Sequence, residues 1–163
     1  MSTTIQGIDA RGYLSGWLQG LTGMTTADIN AIPDDKWTET FGGCTRSANV
    51  LMADCVSLII WCAEALRGNV IAGGENDLMG TLSEEFKNKS VCVAKFAEAS
   101  ADFCGALAAA SDDTLNTPVM APWQMEAPLF MLAQVTVSHV WYHDGQLNYI
   151  QCLLGDDKVH WMG

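Results

Sequence analysis

The stretch 45-TRSANVLMADCVSLIIWCAEALRG-68 decides the fold of this 163-residue chain. Read as a helix, this stretch has apolar side chains on almost every side, so other elements of the protein must cover it on several sides. We predict a helix with Thr45 as its N-cap and Gly68 just past its end, lying at the centre of the protein. The apolar residues with helical spacing are Ala48, Leu51, Met52, Cys55, Leu58, Ile59, Cys62 and Leu66.

An earlier helical segment precedes this central helix. An apolar stripe at helical spacing predicts a first helix from about Asp9 to Gly23. Thr25 and the residues after it are typical of a capped short helix, which would end before Pro33.

Two further long helices follow the central one. The glycine-rich residues 68–80 predict a linker, and the capping box that begins at Thr81 predicts a third long helix reaching about Ala110. A fourth long helix is predicted to begin near residues 124–128 and to end at Leu154-Gly155.

Length and composition agree with one folded domain. The chain is 49% apolar, and six Trp with five Phe provide large side chains for a core. Four long helices joined by moderate loops pack as a bundle. We therefore predict a single all-α domain over residues 1–163, a four-helix bundle.

Three glycines in the first helix recur every four residues: Gly12, Gly16 and Gly20. Glycine destabilises a helix, so three on one face indicate that another backbone comes close there. That backbone belongs either to another helix of the same chain or to a second copy. Both interpretations are open at this point.

The charge balance argues against two classes of partner. Eight Lys and Arg stand against 19 Asp and Glu, for a net charge of −11. Nucleic-acid binding and anionic membrane surfaces both need clustered cations, and the eight cations are scattered. Two charge-poor stretches, 47–63 and 127–143, are 17 residues each, shorter than a membrane span of roughly 20 apolar residues. We expect neither a nucleic acid nor a membrane as partner.

The cellular location follows from the N-terminus and the cysteines. The opening MSTTIQ has neither a basic region nor an apolar region, so a secretory signal is not expected. The six cysteines form no CxxC pair, and most fall within helical patterns among apolar neighbours. Such thiols are typical of a reducing compartment. We predict a cytoplasmic protein with free, structural cysteines.

The pattern most informative about function is 138-SHVWYHDGQLNYI-150. His139 and His143 stand four residues apart, so they project from one helix face and can share one metal ion. Both lie in a charge-free stretch where an unpaired polar ring is costly. Two core histidines satisfied by hydrogen bonds are the alternative interpretation.

The same stretch resembles the closing signature of the DinB-like superfamily, which includes DNA-damage-inducible and YfiT-like proteins. His139, His143, Gly145-Gln146 and Leu154-Gly155 match that pattern. The segment 32-IPDDKW-37 and the central helix ending at Gly68 are similar to the family's first half.

The resemblance implies an up-down-down-up four-helix bundle, often dimeric, with a divalent metal between helices (Zn, Ni or Fe). Members of the superfamily include metal-dependent transferases and isomerases that use low-molecular-weight thiols. We accordingly expect a homodimer whose partners are such a thiol and a small electrophile.

One departure concerns the third metal ligand. The family's histidine in the first half of the second helix has no counterpart here, but Asp54 stands close to that place. It is the only charge in residues 47–63, and Arg46 and Arg67 are expected to lie too far along the helix to pair with it. We predict that a metal ion is its counter-charge, with His139, His143 and Asp54 as ligands.

Two functional interpretations follow. The first is a metal-dependent enzyme, a small-thiol S-transferase or isomerase, in which Gln146 orients the site. The second is a non-catalytic DinB-like bundle with a degenerate metal site and a stress-related or scaffold role. The sequence indicates no nucleophile, no general base and no organic cofactor site. DNA chemistry is disfavoured by the acidic charge, and di-iron chemistry by the lack of a Glu-x-x-His pair.

Overall fold

The computed structural model describes residues 9–71 and 74–162, so the N-terminal residues used to predict the absence of a secretory signal lie outside it. The protein is mostly helical, as predicted. The long helices are α1 (Ala10–Ala31), α2 (Ala48–Leu66), α4 (Lys89–Ala109) and α6 (Leu129–Leu153). The shorter elements are a 3-10 turn (Asp34–Lys36), α3 (Gly74–Glu85), α5 (Asp112–Asn116) and the antiparallel strands β1 (Pro118–Met120) and β2 (Glu126–Pro128).

Helix α2 is the central element, as its sequence predicts. It packs against α3, α4 and α6, and most of its side chains are buried. It begins two residues later than predicted, because Thr45 is engaged in the preceding loop. The Thr45 hydroxyl accepts from the Phe41 N–H at 3.0 Å and donates to the Gly42 carbonyl at 2.8 Å. Ser47 is therefore the residue before the helix.

Helix α1 is continuous, so the predicted break after Gly23 is wrong. The Asp9 carboxylate caps its start by accepting from the Arg11 N–H. Thr25 and Asp28, assigned from sequence to a second short helix, lie buried inside α1. The helix ends where Ile32, the residue before a proline, becomes extended.

The predicted third helix is two helices, and part of the predicted linker is helical. Thr81 lies inside α3, where its hydroxyl donates to the Asp77 carbonyl instead of capping a helix. The break falls at Asn88, whose side chain accepts from the N–H groups of Ser90 and Val91 and so caps α4. Asparagine is a strong capping residue, but the apolar residues before and after Asn88 continue the same helical spacing, which is why a single helix was predicted.

The short β-hairpin that precedes α6 was not predicted. Val119 pairs with Ala127, and Gln124 between the strands adopts a positive φ of 62°. Strands of three residues are too short to show alternation in sequence. Helix α6 begins after Pro128, within a residue of the predicted range.

The long helices are joined by contacts at both ends of the bundle. The Arg11 side chain, at the start of α1, donates to the Ala110 carbonyl just beyond α4 at 3.1 Å. The Lys89 ammonium, at the start of α4, donates to the Ile32 carbonyl just beyond α1 at 2.7 Å. Both α1 and α2 pack against both α4 and α6.

The glycine face of α1 is not a site of close packing within the described residues. Gly12, Gly16 and Gly20 are exposed, and a Cβ added at Gly16 or Gly20 would meet no atom within 4 Å. The interpretation that these glycines admit another helix of the same chain is therefore wrong for the described part of the protein.

Within the described residues, one helix is long and apolar enough to cross a membrane by length and composition alone. This helix is α2, and 67% of its most apolar window is buried inside the protein. The central helix of a globular fold meets the same criterion.

The six cysteines are free, and their exposure differs widely. Cys55, Cys62 and Cys92 are buried, whereas Cys44 and Cys152 are exposed. Burial raises the pKa of Cys62 and of Cys92 to about 12, which suppresses their reactive thiolate forms.

We predict that iodoacetamide modifies Cys44 and Cys152 rapidly in the native protein and spares the three buried thiols. Mass spectrometry of peptides after a short exposure at mildly alkaline pH measures this. The same exposure in denaturant is the control and should label all three buried thiols as well. Fast native labelling of Cys62 would contradict the packing of α2.

Candidate metal centre

The two predicted histidines face each other on one side of α6. His143 is fully buried and His139 is half-buried. Their ring centroids are 4.3 Å apart, and the two Nε2 atoms are separated by 3.0 Å. The spacing of one helical turn thus places both imidazole nitrogens at one point, as the sequence predicts.

A short chain of hydrogen bonds holds the His143 ring. Its Nδ1 lies 2.7 Å from Gln146 Oε1, and Gln146 Nε2 donates to the Tyr142 hydroxyl at 3.1 Å. Because the amide oxygen can only accept, Nδ1 carries the proton and donates. The Nε2 lone pair of His143 therefore points away from Gln146, toward His139 and α2.

Asp54 completes the cluster from α2. Its Oδ2 lies 3.4 Å from His143 Nε2, and one ligand atom from each of the three residues lies within 4.8 Å of the others. The structure therefore brings together His139, His143 and Asp54. Their role as metal ligands stays a prediction.

Asp54 also has a cationic partner, contrary to the sequence prediction. An Nη1 donor of Arg46 forms an ion pair with Asp54 Oδ2. The prediction assumed that Arg46 lies on the same helix, eight positions away. Because α2 begins only at Ala48, Arg46 lies in the preceding loop and its side chain folds back along the helix.

These neighbours control the ionisation of the cluster. Burial opposes ionisation of Asp54, but the neighbouring His143 and the ion pair with Arg46 outweigh it and hold its pKa well below the usual value. Burial, with the neighbouring His143, lowers the pKa of His139 to about 4. Near neutral pH the cluster therefore contains a carboxylate and a neutral His139 imidazole, which are the forms that bind metals.

The hydrogen bonding of His139 tests whether the cluster fits a metal ion. Its Nδ1 is buried and has no hydrogen-bond partner among the described residues. The facing Nε2 of His143 is an acceptor. If His139 carries its proton on Nε2, its Nδ1 lone pair has no partner; if it carries the proton on Nδ1, the two Nε2 lone pairs face each other. A cation between the two Nε2 atoms would satisfy both of their lone pairs; His139 would then carry its proton on Nδ1, which has no partner among the described residues. Tetrahedral Zn²⁺ with bonds of about 2.0–2.1 Å would set its nitrogens about 3.3 Å apart, close to the 3.0 Å observed. The donor set suits Zn, Ni and Fe.

A groove exposes the cluster on the side of His139. One part, of about 220 Å³, is lined by Asp54, Leu58, Glu75, Pro122, Trp123, Val135 and His139. A second part, of about 360 Å³, continues past His139 and Val135 toward Tyr142. A small molecule can therefore reach the cluster from solvent.

Glu75 in this groove was missed by sequence reasoning. The Ser57 hydroxyl, which lies on α2, donates to its carboxylate. Burial and the neighbouring Asp54 raise the pKa of Glu75. Residues 68–80 were assigned to a linker. Two acids in one turn after a glycine, Glu75 and Asp77, are typical of a helix start and could have revealed α3.

His160, the third histidine, lies outside the cluster. Its Nε2 is 2.9 Å from an Asp156 carboxylate oxygen in the C-terminal segment.

The opposite side of α6 is held to α1 by a buried polar network. Asn148 donates to the Asp28 carboxylate, and Gln151 donates to the Asp28 carbonyl, both at 2.9 Å. Asp144 lies beside Asp28, and burial together with that neighbouring acid raises the pKa of Asp144 to about 6. These contacts fix the rotation of α6 about its axis, and with it the direction of the histidine face.

The fold is shared with solved structures of longer chains. The crystal structure of a mycothiol-dependent maleylpyruvate isomerase matches with a TM-score of 0.66 and 14% identity, over 84% of this chain and 60% of that one. A structure of that isomerase with a histidine-to-alanine substitution matches with a TM-score of 0.69 and 13% identity, over 84% and 60%.

At these identities the likeness shows the fold alone. The chain covers about 60% of the length of the structures it matches. No protein-family model and no curated protein matches the sequence.

We predict that the protein, purified without a nickel column and then loaded with metal, binds one divalent ion per chain. His143→Ala should abolish stoichiometric binding, and Asp54→Asn should weaken it by about 100-fold or more, since outer-shell changes alone cost about 10–100-fold. His160→Ala is the matched control and should bind as the parent does. Calorimetry and metal analysis measure both quantities. Parent-like affinity in Asp54→Asn would rule out the three-ligand site.

Proposed function

We propose that this chain is a DinB-like, metal-dependent enzyme that uses a low-molecular-weight thiol, as an S-transferase or an isomerase. The observation that carries the proposal is the cluster of two imidazoles and a carboxylate, with ligand atoms within 4.8 Å of one another at a groove. A fold shared with a thiol-dependent isomerase supports the same reaction class. His139, His143 and Asp54 would hold the ion.

The chemistry supplied by a bound divalent ion is the lowering of a thiol's pKa, so that its thiolate can attack at neutral pH. Gln146 keeps the proton of His143 on Nδ1 and its Nε2 free. Arg46 keeps Asp54 ionised. Glu75 would accept the thiol proton on its carboxylate, because its raised pKa makes it a better base at the mouth of the site.

The second candidate is a non-catalytic DinB-like bundle with a degenerate site, in a stress-related or scaffold role. The Arg46–Asp54 ion pair favours it, because the carboxylate already has a counter-charge without a metal. In that case Asp54 stabilises the loop before α2.

For the architecture we propose the up-down-down-up arrangement. Contacts of the α1 start with the α4 end, and of the α4 start with the α1 end, support opposite directions for these two helices. Contacts of Trp17 with Trp141 and of Asp28 with Asn148 support parallel α1 and α6.

We also propose that the protein is a cytoplasmic homodimer that associates through the outer face of α1 and α6. Residues 12–27 carry no charge, in a chain of net charge −11. Aromatic rings stand beside the glycines on this face, with the exposed Tyr13, the partly buried Trp17 and the exposed Trp141 forming a ladder at centroid separations of 6.1 and 6.0 Å. Projecting rings and glycine gaps on one surface are self-complementary under a twofold axis.

We predict that metal-loaded protein turns over a small electrophile only when a low-molecular-weight thiol is present. Glu75→Gln should lower kcat by about 100-fold or more, since it removes the proton acceptor. Glu85→Gln, an exposed acid on the same helix, is the control and should retain parent kcat. Steady-state assays across a panel of thiols and electrophiles measure this. Metal binding with no thiol-dependent turnover would favour the scaffold.

We predict a dimer by light scattering at micromolar concentration. Gly16→Glu should give a monomer, because it places a charge in the proposed interface while remaining compatible with a helix. Ala101→Glu places the same charge on the exposed face of α4 and should stay dimeric. A monomeric parent would refute the interface.

A further inference from the structure

A cavity separate from the groove at His139 lies on the other side of the cluster. It has a volume of about 390 Å³ and opens between the loop before α2 and the C-terminal half of α6. This volume lies within the range of small-molecule sites, about 300–1,000 Å³. Its walls include Leu51, Ile150 and Leu153, with Gln146 and Tyr149 as polar groups.

The one charged side chain that lines this cavity is a cation, although the protein as a whole is acidic. Arg46 is the one charged residue among those that line it, whereas the whole chain has 19 acids and eight Lys and Arg. The groove at His139, by contrast, contains the two carboxylates of Asp54 and Glu75. The Arg46 cavity therefore favours an anion, and a single cation among aliphatic walls suits a monoanion with an apolar body.

Most donors of Arg46 are available for such a ligand. One Nη1 donor bonds to Asp54, and across residues 9–71 and 74–162 the guanidinium makes no other hydrogen bond. The side chain is 40% exposed, so it can move. A guanidinium binds a carboxylate best through two parallel N–H donors, and this geometry would draw Arg46 toward the ligand and away from Asp54.

The cavity is also connected to the cluster through its walls. Arg46 contacts Asp54, and Gln146 contacts His143. An anion in the cavity and the Asp54 carboxylate are therefore alternative partners for the guanidinium of Arg46. A ligand that binds Arg46 leaves the Asp54 carboxylate without its counter-charge and available to a metal ion.

We propose that this cavity binds a small monocarboxylate with an apolar body, and that Arg46 exchanges its ion pair with Asp54 for one with the ligand. This deepens the proposed function by assigning a substrate class to the site. The exchange frees Asp54 as a carboxylate ligand, so by linkage the monocarboxylate and a divalent ion bind cooperatively.

The test compares 3-phenylpropanoate with its neutral analogue 3-phenylpropanamide by calorimetry on metal-free protein. We expect the acid to bind at least about tenfold more tightly, the size expected for a charge-assisted pair. Arg46→Gln should abolish this preference. Arg67→Gln, an arginine paired with Glu64 and Asp102 at the end of α2, should keep it. Equal affinity of acid and amide, or acid binding that survives in Arg46→Gln, would overturn the proposal.

The exchange itself is tested by Asp54→Asn, also without metal. If Asp54 competes with the ligand for Arg46, this variant should bind 3-phenylpropanoate several-fold more tightly than the parent, because its amide is a weaker partner for the guanidinium. Unchanged or weaker binding would overturn the exchange.

Two further arms separate this proposal from the thiol chemistry. Zinc should bind the parent more tightly in the presence of 3-phenylpropanoate. If zinc, nickel and iron all fail to bind, the metal enzyme is wrong, while the metal-free titrations still decide the carboxylate site. If N-acetylcysteine displaces 3-phenylpropanoate but N-acetylcysteine amide does not, the carboxylate that binds Arg46 belongs to the thiol. If 3-phenylpropanoate and N-acetylcysteine bind at the same time, the carboxylate belongs to the electrophile. Both results support a carboxylate site.

Discussion

The burial of α2 is the constraint on which the rest of the structure depends. This helix is apolar on almost every side, and burying each large aliphatic side chain contributes about 1.5–3 kcal/mol. Helices α3, α4 and α6 meet this demand by packing around it. Because Asp54 is carried on the same helix, covering α2 also brings a carboxylate among apolar neighbours, where it requires compensating partners.

The partners of Asp54 come from two directions, and they differ in kind. His143 approaches from α6 and is held in one tautomer by Gln146. Arg46 approaches from the loop before α2 and is half-exposed. The first partner is rigid and the second can move. The charge that Asp54 can offer to a metal ion therefore depends on whether Arg46 stays paired with it.

Helix α6 positions the site by being anchored on its other side. Asp28 accepts from Asn148 and Gln151 across the α1 interface, so the helix has one rotational setting. With that side fixed, His139 and His143 face α2. The same setting turns Trp141 outward beside Trp17, which lies in the uncharged residues 12–27 of α1.

Sequence by itself determined the features that depend on local period. The course of α2, the start and end of α6 and the convergence of His139 with His143 follow from helical spacing, because positions four residues apart share a face. The approach of Asp54 to that pair was predicted from its place near the third ligand of the DinB-like superfamily and from its isolation as a charge on the central helix. The resemblance to the DinB-like superfamily pointed to the same three residues.

Only the tertiary structure decided the rest. The continuity of α1 through Gly23 and the break at Asn88 depend on packing and side-chain caps, which override weak local preferences. The ion pair of Arg46 depends on the loop before α2 folding back, and Glu75 enters the groove only because α3 packs on α2. These contacts join residues with no periodic relation in the chain, so the charge around the cluster could be known only once the elements were placed in space.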